Sequence, residues 1–226
     1  YQILEKSKSI VFFGGAGVST ESGIPDFRSA DGLYHQKFDY PPETILSHGF
    51  FMDHPDKFYE FYFAKMVDLT IKPNAAHYQL AKWEKIGKIK AIVTQNIDGL
   101  HQLAGSKIVY ELHGSVHRNY CMDCHKFYDA NYMVKFKNKG LPKCSCGGLI
   151  KPDVVLYNEG LDGNTINKSI EAISCCDTLI VAGTSLTVYP AAGLINYFRG
   201  KHLILINKDK TPMDSEADLV INEPVG

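Results

Sequence analysis

Apolar positions fall into short β-branched runs: Ser9 to Phe13, Ile89 to Thr94, Ile108 to Leu112, Thr178 to Ala182, Leu203 to Ile206 and Leu219 to Ile221. Most of these run directly into Gly or Asn. Continuous short runs of this kind fit strands buried on both faces. Helical patterns separate several of them, at Asn74 to Ile86, Asn164 to Ser174 and Pro190 to Phe198. The alternation predicts an α/β fold built on a Rossmann-like, doubly wound parallel sheet. Two stretches break it. Residues 38–71 are dense in aromatics (Phe50, Phe51, Phe58, Tyr59, Phe61, Tyr62, Phe63), with Pro41-Pro42 and Pro55 where helices can start, and read as a helical module. Residues 117–152 carry cysteines spaced by Lys and Gly with little apolar periodicity, too little to build a core unaided.

Composition narrows the picture only modestly. With 226 residues, 45% of them hydrophobic, and a net charge of −1, the chain can bury a substantial core and has no overall charge to draw it to nucleic acid or a membrane surface. No apolar run reaches the roughly 18 residues of a membrane helix. The start, at Tyr1 without a methionine, has no secretory pattern, so a cytoplasmic location is expected. Under that expectation metal explains the cysteines better than disulfides do. Cys121-x2-Cys124 and Cys144-x-Cys146, separated by 19 residues and followed by Gly147-Gly148, supply four thiolates. Four thiolates satisfy tetrahedral zinc and leave no open position, which makes the ion structural. The glycines would let the shorter second pair turn tightly. Cys175-Cys176 reads as packing. The expected division is a large domain from 1–37, 72–116 and 153–226, and a small one joining the helical module (38–71) to the zinc-binding module (117–152).

Candidate chemistry gathers where strands end. Gly14-Gly15-Ala16-Gly17-Val18-Ser19 leaves the first strand, either as an ordinary tight turn or as a cradle whose N–H groups approach a pyrophosphate. Thr20 stands where a third fingerprint glycine would, and no strand-ending acid follows about 20 residues on, which disfavours a hydride-transfer dehydrogenase. Gly23-Ile24-Pro25-Asp26-Phe27-Arg28 could fold over a ligand as a loop. Gln95-Asn96-Ile97-Asp98 is either a ligand-facing polar cluster or a turn, with Asp98 as the cap of the next helix. His113 ends a strand pattern at the same edge, where a near-neutral imidazole could take a proton from a hydroxyl. His77, His101 and His117 stand in weaker positions, the last near enough to the cysteines to be a spare ligand. Lys151 to Glu159 is an extended run, returning to the main domain or offering an edge to a peptide. Ala182-Gly183-Thr184-Ser185 and Ile206-Asn207-Lys208-Asp209 are further strand exits.

In order and spacing these motifs resemble the sirtuin family of NAD-dependent protein deacylases, of bacterial type, over nearly the whole chain. The resemblance implies NAD as co-substrate and acylated lysine in proteins or peptides as partner. The acyl oxygen would attack C1′ of the nicotinamide ribose, nicotinamide would leave, and free lysine and 2′-O-acyl-ADP-ribose would result. His113 matches the general base. Asn96 and Asp98 match the polar residues of the nicotinamide pocket, with Ile97 between them, and Gln95 matches a ribose contact. Ala16, Gly17, Thr20, Asp26, Phe27 and Arg28 match the loop that closes over NAD. Gly183, Thr184, Ser185 and Asn207 match the adenosine side, and Val154, Val155 and Leu156 match the strand that clasps the peptide. Cys121, Cys124, Cys144 and Cys146 match structural zinc ligands. Desuccinylating members carry Tyr-x-x-Arg where this chain has Tyr62-x-x-Lys65; lysine lacks the bidentate fork, so acetyl is the favoured acyl group. A monomer is expected. ADP-ribosyl transfer to protein at the same site, and a noncatalytic zinc-ribbon module, are the other readings.

Overall fold

Strand β1, Ile10–Gly14, is buried at every position, and its side chains alternate between two cores. Val11 and Phe13 enter one apolar cluster while Ile10 and Phe12 enter the other. The computed structural model, which describes residues 2–26 and 39–226, repeats that alternation in β7 (Thr178–Ala182) and β8 (His202–Ile206). With β2 (Ile89–Thr94), β3 (Val109–Glu111) and β9 (Leu219–Ile221) they form one parallel sheet in the order β3-β2-β1-β7-β8-β9. From β1 the chain winds outward in one direction through β2 and β3, and from β7 in the other through β8 and β9. The order therefore reverses between β1 and β7, and a crevice opens beyond their carboxyl ends.

Six predicted strands are present, each within about two residues of its expected bounds. Helix α5 (Ala75–Lys85) starts at Asn74, whose side chain accepts from the Ala76 N–H, and α8 (Gly163–Cys175) is capped by Asp162. The pattern at Pro190 to Phe198 yields a 3-10 helix, Ala191–Tyr197. In place of an α-helix after the glycine turn, residues 16–22 form two 3-10 turns, Ala16–Val18 and Thr20–Ser22.

The second sheet is antiparallel, β5-β4-β6, from β4 (Gly114–Cys121), β5 (Phe127–Asp129) and β6 (Ile150–Val154). The run from Lys151 thus begins inside the small sheet. Helices α3 (His48–Asp53) and α4 (Pro55–Lys65) supply the core that the cysteine segment lacks. Phe51, Phe58, Tyr62 and Phe63 join Val116, Cys121, Ile150 and Val154 in one cluster. Phe51 meets Phe58 edge-on at 4.8 Å, Phe58 stacks on Tyr62 at 5.6 Å, and the Tyr59 hydroxyl donates to the Ile150 carbonyl.

Candidate active site

Two strand exits form the floor of the crevice by backbone contact. The Gly15 N–H donates to the Ala182 carbonyl at 3.0 Å and the Gly17 N–H to the Gly183 carbonyl at 2.8 Å. A Cβ on Gly17 would stand 2.7 Å from Gly183 Cα, so a side chain there would drive the loops apart. The glycines are required first by this loop-on-loop approach. Around it lies a cleft of about 810 Å³. Ala16, Gly17, Thr20 and Asp26 line it, as do Gln95, Asn96, Ile97, Asp98 and His113, then Gly183, Thr184, Ser185 and Asn207, and also Val154, Val155 and Leu156. Phe27 and Arg28 lie outside the described residues.

The β2 exit is held by a polar network. Ser19, only 1% exposed, donates from its hydroxyl to Asp98 Oδ2 at 2.7 Å and accepts from Asn96 Nδ2 at 3.0 Å. Asp98 Oδ1 accepts from the Leu100 N–H at 2.9 Å, although the residue that caps helix α6 (Leu100–Ala104) is Gly99, not Asp98. Gln95 Nε2 reaches across to Thr184 Oγ1 at 3.1 Å and ties the β2 exit to the β7 exit. Ser19 is a site residue that the motif reading passed over; its signal was a lone hydroxyl closing an apolar glycine turn.

His113 sits where the chain leaves the large sheet. Its Nδ1 lies 2.9 Å from the Gln95 carbonyl, which can only accept, so Nδ1 carries the hydrogen and Nε2 keeps its lone pair. Burial holds the imidazole below its ordinary 6.5, outweighing the hydrogen bond that favours the charged form. The ring is a neutral base at neutral pH. Gly114 follows at φ +77°, and the Val155 N–H donates to the His113 carbonyl at 3.0 Å, which brings the 154–156 segment alongside the base. Just past that segment the chain is anchored to the helical module: the Tyr157 N–H donates to the Leu46 carbonyl and the His48 N–H to the Tyr157 carbonyl, both at 2.9 Å.

The other histidines separate clearly. His117 Nε2 lies 2.9 Å from the Asp98 carbonyl, committed to the β2 exit and not to the cysteines. His77 and His101 are buried with ring centroids 4.7 Å apart, and burial pushes His101 down to about 3. Tyr62 is fully buried and does not line the cleft, whereas Lys65 and Met66 do. Leu46, Tyr189 and the 223–225 segment also line it, brought there by the chain path, with no local motif to announce them.

The sulfurs of Cys121, Cys124, Cys144 and Cys146 all lie within 4.8 Å of one another, with Cys121 and Cys144 buried. Separations such as 3.4 Å between Cys121 and Cys146 are far longer than a disulfide bond, and the donor set suits tetrahedral zinc. Gly147, at φ +93°, makes the tight turn. At Gly148 an added Cβ would stand 2.7 Å from Cys121 Sγ. Tyr128 donates its hydroxyl to Cys144 Sγ at 3.0 Å, which would orient that ligand.

Comparison with known proteins gives consistent matches. The Sir2 family profile matches residues 15–190. An NAD-dependent protein deacetylase of Clostridium acetobutylicum is 66% identical over 228 residues, covering 100% of this chain and 93% of the relative. One of the same description from Clostridium perfringens is 63% identical, with 100% and 93% covered. A solved structure of Sir2 with a p53 peptide and NAD+ superposes with a TM-score of 0.88 at 41% identity, covering 99% and 91% of the two chains. Sir2 with an inhibitor, 2′-O-acetyl-ADP-ribose and deacetylated p53 peptide gives 0.86 at 40% identity, covering 99% and 92%.

Proposed function

This chain belongs to the Sir2 family, and on that premise we propose that it removes acetyl groups from protein lysines with NAD as co-substrate, yielding nicotinamide, free lysine and 2′-O-acetyl-ADP-ribose. The observation that carries the proposal is His113: a neutral imidazole, fixed through Nδ1 to a backbone carbonyl, at the meeting point of the cleft and the 154–156 segment. NAD supplies the ribosyl carbon that accepts the acyl oxygen as nicotinamide leaves. In this reading His113 Nε2 takes the proton of a ribose hydroxyl. Asn96 and Asp98, braced by Ser19, hold the carboxamide end, and Gln95 holds the neighbouring ribose. Ala16, Gly17, Thr20 and Asp26, with Phe27 and Arg28, bind the diphosphate and ribose side, while Gly183, Thr184, Ser185 and Asn207 bind adenosine. Val154, Val155 and Leu156 pair with the acetylated peptide by backbone hydrogen bonds. Cys121, Cys124, Cys144 and Cys146 would hold a structural zinc, and through it the end of β4 would be tied to the segment that leads into β6.

No helix among the described residues is long and apolar enough to cross a membrane. A cytoplasmic location is proposed because a four-thiolate site needs reduced cysteines. The deciding experiment is nicotinamide release from NAD with and without an acetyl-lysine peptide, with mass spectrometry of the products. Peptide-dependent release that is lost in His113→Ala supports the reading. Release without peptide, with ADP-ribose appearing on protein, would replace it with ADP-ribosyl transfer.

A further inference from the structure

The chain crosses from the large sheet to the small one between Glu111, the last residue of β3, and Gly114, the first of β4, with His113 at the crossing. It comes back beyond Val154, the last residue of β6. The β4–β6 ladder that should hold these crossings together is interrupted: Ser115 pairs with Asp153, but the next pair is Asn119 with Pro152, so 116–118 have no partners on β6. Arg118 spans this gap with its side chain. Its Nη1 donates to Glu111 Oε2 at 2.6 Å and its Nε to Asp153 Oδ2 at 2.7 Å. One guanidinium therefore ties the residue two before His113 to the residue two before Val155. The Glu111 side chain is only 7% exposed, so removing Arg118 would leave a buried carboxylate unpaired. A planar fork can serve two carboxylates at fixed angles, which an ammonium cannot.

We infer that Arg118 is a positioning residue that sets the register of the 154–156 segment against His113 and so governs affinity for the acylated peptide. Its side chain does not line the cleft. The inference rests on the deacetylase reading for its kinetic consequence but not for its mechanical one, and the two are measured separately. Amide hydrogen exchange over 153–157 is followed in the wild type, Arg118→Met, Arg118→Lys and Asp153→Asn, together with KM for an acetyl-lysine peptide and for NAD. In Arg118→Met the Val155 and Tyr157 amides exchange faster and the peptide KM rises on the order of tenfold, as expected for a misplaced binding edge, while the NAD KM stays within about twofold. Arg118→Lys recovers part of the peptide KM. Asp153→Asn, which leaves the Glu111 pair and hence the buried charge satisfied, shows the same selectivity for peptide over NAD with less loss of stability. Unchanged exchange and unchanged peptide KM in folded Arg118→Met overturn the inference. So does a parallel rise in both KM values that tracks melting temperature, because that is the mark of general destabilisation. A wild type that turns over no acetyl peptide defeats the deacetylase reading alone; the exchange data still decide whether Arg118 pins the segment.

Discussion

Replacing Ser19 with alanine removes one oxygen from the β2 exit of the cleft and takes a hydrogen-bond partner from two atoms. Asp98 Oδ2 loses a donor at 2.7 Å and Asn96 Nδ2 loses an acceptor at 3.0 Å. A hydrogen bond to a charged group contributes about 1.5–3 kcal/mol and a neutral one about 0.5–1.5, so together they amount to about 2–4.5 kcal/mol before relaxation. Asp98 is only half-buried and opens on the cleft, so water can replace part of the loss. About half is expected to remain, or about 1–2 kcal/mol, which corresponds to a 5- to 30-fold fall in rate if the network acts while nicotinamide leaves. The assay is exchange of labelled nicotinamide into NAD, with the urea midpoint measured in parallel. The variant should lose about that factor in kcat/KM for NAD and keep its affinity for peptide. Ser19→Ala combined with Asp98→Asn should lose less than the two single changes would give if independent. A folded Ser19→Ala within about twofold of wild type, or additive losses in the double variant, would show that Ser19 does not act through Asp98 and Asn96.

Four other outcomes follow from the same geometry. The base form of His113 is lost only as pH falls through a value below 6.5, so kcat/KM should be level through neutral pH and decline below 6.5; an acid limb above neutrality contradicts the burial argument. His101 lies near 3 when folded against 6.5 ordinarily, so the unfolded chain takes its proton first. Stability to urea should therefore be flat above 6.5 and erode as pH falls from there toward 3, and His101→Gln should flatten that slope. Chelating the metal should abolish activity while Trp83, packed against the large sheet, keeps its emission; loss of both signals together would show that the two sheets unfold as one. Gly114→Ala places a Cβ 1.8 Å from the Asp153 carbonyl at φ +77°, so it should destabilise by at least about 1–3 kcal/mol and cut peptide turnover, as thermal melts and kinetics would report.

Much of the fold was legible because it is periodic. Strands such as Thr178–Ala182 and His202–Ile206 are written as apolar runs rich in β-branched residues and closed by Gly183 and Asn207, and that pattern needs no knowledge of what lies across the sheet. The cysteines were equally legible, since chelation geometry constrains spacing directly. The 3-10 helix at Ala191–Tyr197 and the Gly99 cap are local choices among near-equal backbone options, which composition does not separate. Tyr62 and Lys65, three residues apart on α4, met different fates because the helix turned one into the aromatic core and the other to the cleft.

Local pattern alone was enough to say which segments become strands, which four cysteines come together and which histidine follows a strand into the crevice. Each of these is a property of neighbours along the chain. It took the folded chain to show that the aromatic helices and the cysteine segment share a core, that Ser19 braces Asp98 from 79 residues away, and that Arg118 reaches Asp153 from 35. A side-chain hydrogen bond acts over about 3 Å, and which distant residues come that close is settled by packing the whole chain, not by any pattern within it.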